Sequence, residues 1–329
     1  MMWSMIESLP AQYRWAAELA GPKVPDSTTV LVCGMGGSGI SGDFAQVVAG
    51  GVGVDVRAHK DYGLPAWVGS IRPLILAVSY SGNTAETLSA VDAARVLGLD
   101  VAVISTGGEL ARIAAAEGYP ALLVPAGLQP RAALGYLVGA ALVMVASATS
   151  LSNPAAMLVE TAQATADLLG TEGSGRGHEQ ARAIAGALES RTAVIWGSAG
   201  PTEVAAQRWA KQLNENAKTP AYWSTMPELN HNELVGWDST RRELYGSAGI
   251  VLLRDEGERQ EVSRRFDLTV ELVRESAPII GEVWTVGESV LARAATASLI
   301  GDLVSVYVAE AAGIDPVPVD VITELKDRL

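Results

Sequence analysis

The chain has 329 residues, enough for about two domains of ordinary size. Hydrophobic residues make up 49% of it and charged residues 19%, a composition that excludes an intrinsically disordered protein. The 24 basic and 37 acidic side chains give a formal net charge of −13, which argues against general attraction to nucleic acid or to an anionic membrane surface.

Short apolar runs alternate with helical segments through the first half of the chain. The runs predict β-strands over residues 28–33, 52–58, 74–79, 101–105 and 121–124. The remaining segments predict helices over residues 38–48, 85–97, 110–117 and 130–147. Because strands that alternate with helices form parallel sheets, we expect an α/β domain with a doubly wound sheet and helices on both faces.

The second half repeats this organisation after two amphipathic helices, predicted over residues 153–169 and 179–188. Strands are predicted over residues 192–196, 250–253 and 283–286, and helices over residues 201–217, 260–275 and 289–312. We therefore place a boundary near residue 152, with one domain over residues 1–152 and a second over residues 153–329. Two similar α/β units in tandem are the expected architecture.

A glycine-rich turn follows the first predicted strand. It reads Gly34-Met35-Gly36-Gly37-Ser38-Gly39 and precedes a helix, where glycines let the backbone approach a phosphate and the helix start supplies N–H donors. The spacing also fits the dinucleotide pattern G-x-G-x-x-G, and Asp55 and Asp61 lie near the distance at which an acid that binds NAD is expected. A tight turn that only packs the helix against the strand is the alternative.

A hydroxyl-rich loop follows the third predicted strand. Ser79, Ser81 and Thr84 cluster where this strand passes into a helix. Hydroxyls and helix N–H groups are all donors, so together they can bind a phosphate without a cation. Asn83 with Glu86 also fits a helix cap, but a cap needs only one such residue. Since a dinucleotide site does not require a second hydroxyl-rich loop, the two loops favour a compact ester such as a sugar phosphate.

The two loops, GMGGSGISGD and SYSGNTAET, closely resemble the phosphate-binding loops of sugar isomerase (SIS) domains. Within that superfamily the chain resembles the bifunctional phosphoglucose/phosphomannose isomerases. Further matches, in family order, are residues 130–136 (PRAALGY), 214–218 (NENAK), 228–233 (ELNHNE) and 324–326 (ELK). The resemblance implies two tandem SIS-type doubly wound domains. It also implies the interconversion of glucose 6-phosphate with fructose 6-phosphate through a cis-enediol intermediate, with mannose 6-phosphate as a further candidate substrate.

The resemblance implies a role for each matching residue. Five residues of the two loops would bind the phosphate: Gly37, Ser38, Ser79, Ser81 and Thr84. The remaining matches are Arg131 for stabilising the intermediate, Glu215 as catalytic base, His231 for opening the sugar ring and Lys326 as a further substrate contact. Because the histidine can come from the partner subunit in this family, a homodimer with a shared active site is expected.

The chemistry of these side chains agrees with those roles. A carboxylate in a desolvated site can move a proton between neighbouring carbons, and an imidazole suits transfer of the ring-oxygen proton. Arg131 follows Pro130 at a predicted helix start, where a positive charge is unfavourable unless it faces an anion or a developing enediolate. Taken without the family match, Glu215, His231 and Lys326 would be interpreted as ordinary solvated side chains.

Two other functions stay open at this point. A SIS protein that binds a sugar phosphate without catalysis, as a sensor, would keep the two loops and lose the acid–base residues. An NAD-linked oxidoreductase would use the G-x-G-x-x-G turn. One departure counts against mannose 6-phosphate: a threonine tied to its acceptance in some family members has no counterpart, since residues 317–319 offer no hydroxyl.

The remaining sequence features argue against a disulfide, a metal site, a secretory signal and a membrane span. Cys33 is the lone cysteine and the three histidines are scattered, so we expect no disulfide and no metal site. The N-terminus lacks the regions of a secretory signal, and the apolar window 132–148 is better explained as a buried helix. We expect a cytoplasmic protein with no cofactor, which binds a small-molecule sugar phosphate and a second copy of itself but no nucleic acid or membrane.

Overall fold

The computed structural model describes residues 1–171, 173–237, 247–276 and 278–328. The chain divides into two compact units. The five-stranded unit comprises Glu7–Ala164 and Ser289–Ala292, and the four-stranded unit comprises Met1–Ile6, Thr165–Glu288 and Arg293–Leu329.

The division of the chain differs from the predicted boundary near residue 152. Residues 153–164 lie in the five-stranded unit. The physical reason is packing: Leu158 is buried, and its side chain lies 3.4 Å from the position that a Cβ atom on Gly139 would take.

The first sheet is parallel throughout and confirms the predicted α/β class. Its strands are β1 (Thr29–Cys33), β2 (Asp55–His59), β3 (Leu74–Ser79), β4 (Val101–Ser105) and β5 (Ala121–Leu123). They lie in the order β2-β1-β3-β4-β5. Strands β1, β3 and β4 are buried along their whole length, which explains why they read as continuous apolar runs. From β1 the chain adds β2 on one side and then β3, β4 and β5 on the other, so the direction in which strands are added reverses between β1 and β3.

Helices cover the strands of this unit: Leu9–Ala17, Gly36–Gly50, Val68–Ile71, Ala85–Leu97, Gly108–Glu117 and Leu134–Ala148. The sequence predicts one helix over residues 130–147, and the structure has two. A short 3₁₀ helix, Pro130–Ala132, precedes the α-helix that begins at Leu134. At the break between them, the side chain of Gln12 donates a hydrogen bond to the carbonyl oxygen of Ala132 and accepts one from the N–H of Gly135.

The second sheet is also parallel. Its strands are β6 (Thr192–Ser198), β7 (Ala221–Met226), β8 (Ala248–Arg254) and β9 (Ile279–Trp284), in the order β7-β6-β8-β9. Strand β9 begins and ends earlier than the strand predicted over residues 283–286. The prediction lacked β7, where Tyr222 and Trp223 are exposed and two hydroxyl residues, Ser224 and Thr225, interrupt the apolar run.

The remaining helices are Met2–Glu7, Ala155–Leu169, Arg176–Ala187, Pro201–Asn216, Glu233–Gly236, Gln260–Val273, Val290–Ala311 and Asp320–Asp327. Among the described residues, Val290–Ala311 is long and apolar enough to cross a membrane, yet 83% of its apolar window is buried inside the protein. Burial of this kind is what a core helix shows.

Polar side chains form a buried ladder between two helices of the four-stranded unit. Arg208 donates from Nε and Nη2 to the two carboxylate oxygens of Asp302, at 2.9 and 2.7 Å. Gln212 donates to the same carboxylate at 2.9 Å, and one turn later Asn216 donates to the hydroxyl of Ser305 at 2.9 Å. Burial raises the pKa of Asp302, and the paired guanidinium of Arg208 opposes that effect. The ladder fixes helix Pro201–Asn216 against helix Val290–Ala311.

Candidate functional site

The glycine-rich turn lies at the carboxyl end of β1. The helix Gly36–Gly50 begins directly after it. Gly34 is required there, because a Cβ atom at this position would lie 2.7 Å from the carbonyl oxygen of Val78 in the neighbouring strand β3. Ser38 is buried, and its hydroxyl oxygen accepts a hydrogen bond from the backbone N–H of Tyr80 at 3.0 Å. The first loop is thereby bonded to the loop that follows β3.

The second loop is ordered by its own hydroxyls. The hydroxyls of Ser79 and Thr84 lie 2.8 Å apart, and Ser79 also accepts from the backbone N–H of Gly82 at 3.1 Å. Ser81 accepts from the N–H of Asn83 at 3.2 Å. Gly82 has a φ of +73°, and a Cβ atom there would lie 1.9 Å from the carbonyl oxygen of Gly107, so no other residue fits. Ser79 is buried, Thr84 is half-buried and Ser81 is exposed.

All five residues predicted to bind phosphate therefore lie on two neighbouring loops. The loops follow β1 and β3, which pair with each other, and the chain reverses direction across the sheet between these strands. In open parallel sheets, ligands bind at the carboxyl ends of the strands at this reversal. The hydroxyls and the start of helix Gly36–Gly50 supply donors of the kind that a phosphate accepts from.

Arg131 lies beside these loops although it is distant in sequence. A Cβ atom on Gly37 would lie 2.6 Å from the carbonyl oxygen of Pro130 and 3.0 Å from the backbone nitrogen of Arg131. The glycine of the first loop is thus in direct contact with the backbone that carries the arginine. Arg131 is 4% exposed, and its Nη1 lies 3.5 Å from the side-chain oxygen of Gln129. The structure brings this predicted residue together with the predicted phosphate loops.

Two residues that the sequence did not single out hold this region together. Gln12 is fully buried; its amide donates to the carbonyl oxygen of Ala132 at 2.8 Å and accepts from the N–H of Gly135 at 3.0 Å. The phenol of Tyr80 donates to the carbonyl oxygen of Pro125 at 2.9 Å and accepts from the N–H of Leu128 at 3.1 Å. The sequence position of Tyr80, between Ser79 and Ser81 of the loop, was the one available signal.

Asp55 and Asp61, the two acids considered for binding NAD, lie at opposite ends of strand β2. Asp55 is the first residue of β2, at the edge of the sheet opposite the glycine-rich turn. Its carboxylate is bonded to Arg57 and Thr29, and the bond from Arg57 lowers its pKa. Asp61 follows the carboxyl end of β2 and accepts from the N–H of Tyr62 at 2.7 Å. Asp55 therefore cannot bind the ribose of a nucleotide on the turn.

In the second sheet the strand order reverses between β6 and β8, and the loops that follow these two strands carry different side chains. After β6, the hydroxyl of Thr202 accepts from the N–H of Ser198 at 2.9 Å. After β8, the buried carboxylate of Asp255 accepts from Thr285 at 2.7 Å and pairs with Arg293 at 2.9 Å. Asp255 thus already occupies donors of Thr285 and Arg293 at this position, so the loops of the five-stranded unit, which offer hydroxyl donors, are the better phosphate site.

Glu215 lies at the end of helix Pro201–Asn216 in the four-stranded unit and is half-buried. The neighbouring asparagines are anchored: Asn214 accepts from the N–H of Ala221 at 2.9 Å, and Asn216 donates to Ser305. Lys218 donates to the backbone carbonyl oxygen of Glu215 at 2.6 Å. The backbone of the predicted base is therefore held on both sides.

A cavity of about 650 Å³ adjoins Glu215 within the four-stranded unit. Residues 214–215, 218–222 and 318–322 line it. The other two residues predicted in this unit are elsewhere: His231 ends the 3₁₀ helix Glu228–His231, Lys326 lies in the last turn of helix Asp320–Asp327, and both are exposed. In the part of this unit that the structure describes, the two do not line the cavity. Nor do the described residues contain three His, Cys, Asp or Glu side chains placed to share a metal ion.

Comparisons with known proteins identify the family. The family model of the bacterial phospho-glucose isomerase C-terminal SIS domain matches residues 177–329. The chain is 36% identical over 336 residues to the bifunctional phosphoglucose/phosphomannose isomerase of Caldicellulosiruptor bescii, covering 100% of this chain and 98% of the relative. It is 33% identical to the protein of the same name from Aquifex aeolicus, covering 100% and 98%.

The fold is shared more widely. A crystal structure of tagatose-6-phosphate ketose/aldose isomerase from Escherichia coli superposes with a TM-score of 0.70 at 15% identity, covering 96% of this chain and 94% of that one. At this identity the similarity concerns the fold alone. The extent and identity of the first two matches decide the family: the chain belongs to the bifunctional phosphoglucose/phosphomannose isomerases of the SIS-domain superfamily.

Proposed function

We propose that the protein interconverts glucose 6-phosphate and fructose 6-phosphate. The observation that carries the proposal is the pair of loops after β1 and β3, where Ser38 is bonded to Tyr80 and Gly37 contacts the backbone of Arg131. This arrangement offers a phosphate uncharged donors and holds the backbone of an arginine beside them, which supports a substrate with a phosphate and a negative charge that develops during the reaction. The names of the family relatives support the same reaction.

Each residue has a part in the proposed mechanism. The loops bind the phosphate through Gly37, Ser38, Ser79, Ser81 and Thr84. His231, with Lys326, assists ring opening by proton transfer. Glu215 takes the proton from the second carbon of the open aldose, and the enediolate that forms is stabilised by Arg131. Glu215 then returns the proton to the first carbon, while the hydroxyl proton on the second carbon passes to the oxygen on the first, which gives the ketose with no net loss of atoms or charge.

Mannose 6-phosphate differs from glucose 6-phosphate at the second carbon, where the proton is removed. A base that reaches this carbon from both epimers would accept both substrates. Val319 lines the cavity beside Glu215 and has no hydroxyl. We therefore expect mannose 6-phosphate to be isomerised more slowly than glucose 6-phosphate.

A coupled assay tests the proposal. Fructose 6-phosphate formation is followed from glucose 6-phosphate and, separately, from mannose 6-phosphate, with EDTA present in both. We expect turnover of glucose 6-phosphate that EDTA does not change. Binding of fructose 6-phosphate without turnover would favour the sensor function instead. A rise in melting temperature with NAD but not with fructose 6-phosphate would favour the oxidoreductase.

We also propose a cytoplasmic homodimer whose active site is shared between subunits. Support comes from apolar side chains left exposed in the four-stranded unit: Tyr222 at 62%, Val321 at 81% and Leu325 at 58%. Apolar groups of this size on one chain suggest a surface that another chain covers. Light scattering on the purified protein is expected to give twice the mass of one chain, and a monomer at micromolar concentration would contradict the proposal.

A further inference from the structure

Tyr80 joins loops of the candidate site through its backbone. Its N–H donates to the hydroxyl of Ser38 at 3.0 Å. Its carbonyl oxygen accepts from the N–H of Thr106 at 3.1 Å and from the Thr106 hydroxyl at 2.7 Å. The residue is therefore bonded to the loop after β1 and to the loop after β4 while it belongs to the loop after β3.

The side chain of Tyr80 extends to a fourth segment. It is 6% exposed, and its hydroxyl is used twice, as donor to the carbonyl oxygen of Pro125 at 2.9 Å and as acceptor from the N–H of Leu128 at 3.1 Å. Burial raises the pKa of this phenol, so it keeps its proton and remains a donor across the range in which the enzyme would work. Leu128 lies directly before Gln129 and the 3₁₀ helix that carries Arg131.

The segment that carries Arg131 is thus held on two sides. Tyr80 and Gly37, both on the phosphate loops, hold residues 125–131. Gln12 holds the opposite end at Ala132 and Gly135. If the phenol of Tyr80 is lost, the segment keeps its contact with Gly37 and its attachment to Gln12, but it loses the two hydrogen bonds that fix Pro125 and Leu128.

We propose that Tyr80 is a positioning residue that sets the place of Arg131 relative to the bound phosphate. It acts through Pro125 and Leu128 and does not itself touch the substrate. The inference rests on the proposed role of Arg131 in stabilising the intermediate. Since a small displacement of a catalytic group has a large effect on rate, Tyr80 is expected to matter for turnover more than for phosphate affinity.

The test is a double-mutant cycle of Tyr80→Phe and Arg131→Lys, with kcat and KM measured for fructose 6-phosphate. Phenylalanine keeps the ring and removes only the hydroxyl. We expect Tyr80→Phe to lower kcat roughly tenfold or more while KM changes by less than about twofold. In the Arg131→Lys background the same change is expected to lower kcat by less than about twofold, since the group it positions is already altered.

Inorganic phosphate serves as a competitive probe of the loops, and its inhibition constant is expected to be the same in Tyr80→Phe as in the unchanged protein. Tyr119→Phe is the matched control: Tyr119 is a half-buried tyrosine of the same unit, away from the loops, and kcat should be unchanged. If Tyr80→Phe does not fold, Tyr80→His takes its place with the same expectation, since the shorter ring cannot bring a donor or an acceptor to the position of the phenol oxygen.

The outcomes separate this inference from the proposed function. An equal loss of kcat from Tyr80→Phe in both backgrounds, or no loss, overturns the positioning role while leaving the reaction and Arg131 intact. A normal kcat in Arg131→Lys alone overturns the role of Arg131 and the positioning role with it. Absence of turnover in the unchanged protein overturns the proposed function itself.

Discussion

The side-chain amide of Gln12 donates to the backbone carbonyl oxygen of Ala132 at 2.8 Å, although 120 residues separate them in the chain. The same amide accepts from the N–H of Gly135 at 3.0 Å. It therefore supplies the hydrogen bonds that are missing where the 3₁₀ helix ends and the α-helix begins.

Replacement of Gln12 should be costly for this reason. Gln12→Met keeps the length of the side chain but leaves the buried carbonyl oxygen and N–H without partners, and the expected loss is about 1–3 kcal/mol in the free energy of unfolding. Denaturant titration followed by circular dichroism measures it. Gln46→Met is the control, since Gln46 is exposed although it also accepts a backbone hydrogen bond. Equal stability of the two variants would contradict the expectation.

Gly37→Ala should disturb the site through the backbone of Pro130. The new methyl group would lie 2.6 Å from the carbonyl oxygen of Pro130, so either the loop or the segment carrying Arg131 must move. We expect kcat/KM for fructose 6-phosphate to fall at least about tenfold. Gly50→Ala, at the other end of the same helix, meets no atom within 4 Å and should keep full activity. An active Gly37→Ala variant would show that the contact does not matter for catalysis.

Glu215→Gln tests the proposed base directly. The amide keeps the size of the side chain but cannot accept the proton, so turnover is expected to fall about 10²–10⁴-fold. Because the proposed phosphate loops are unchanged, binding of fructose 6-phosphate in calorimetry should stay nearly the same. Glu203→Gln, in the first turn of the same helix, is the matched control and should retain activity. Turnover that survives in Glu215→Gln would remove Glu215 from the mechanism.

The thiol of Cys33 provides a measure of unfolding. Burial raises its pKa from an ordinary value of 9.0 to about 12. At pH 8 the folded protein should therefore react very slowly with a thiol reagent, while protein in guanidinium should be labelled fully. The sign of the linkage also follows: this group's contribution to stability is present below about pH 9 and is lost as the pH rises toward 12. Rapid labelling of the folded protein at pH 8 would contradict the burial of this strand end.

Much of the five-stranded unit was predictable because its strands obey simple rules. Strands β1, β3 and β4 are buried on both faces, so their apolar runs are unbroken. The loops that follow them carry the glycines and hydroxyls, and the residue types alone indicated a phosphate. That β1 and β3 are neighbours is a property of the sheet order, which local sequence does not contain.

The features that escaped prediction depend on contacts distant in sequence or on exposure. Gln12 looks like any polar residue of an N-terminal helix, and the backbone groups that it bonds at Ala132 and Gly135 are more than a hundred residues away. Strand β7 has two consecutive aromatic residues, Tyr222 and Trp223, followed by two hydroxyl residues, so its residues neither form an apolar run nor alternate. The break at Ala133 between two helices lies where Gln12 bonds the backbone of Ala132 and Gly135, and these contacts cannot be read from the local sequence.

The buried ladder of Arg208, Gln212 and Asp302 limits both the sliding of one helix past the other and the substitutions that this part of the sequence tolerates. A helix that slid by one residue would separate the guanidinium from its carboxylate inside the protein, at a cost of about 3–5 kcal/mol. Single substitutions at either charge meet the same penalty, whereas an apolar pair introduced together escapes it. Glu215 lies in the last turn of the helix that carries Arg208 and Gln212. Natural variants that alter the ladder should therefore exchange both charged residues together. The position of the Glu215 carboxylate should then be the same in sequences that keep the charged pair and in sequences that have an apolar pair instead.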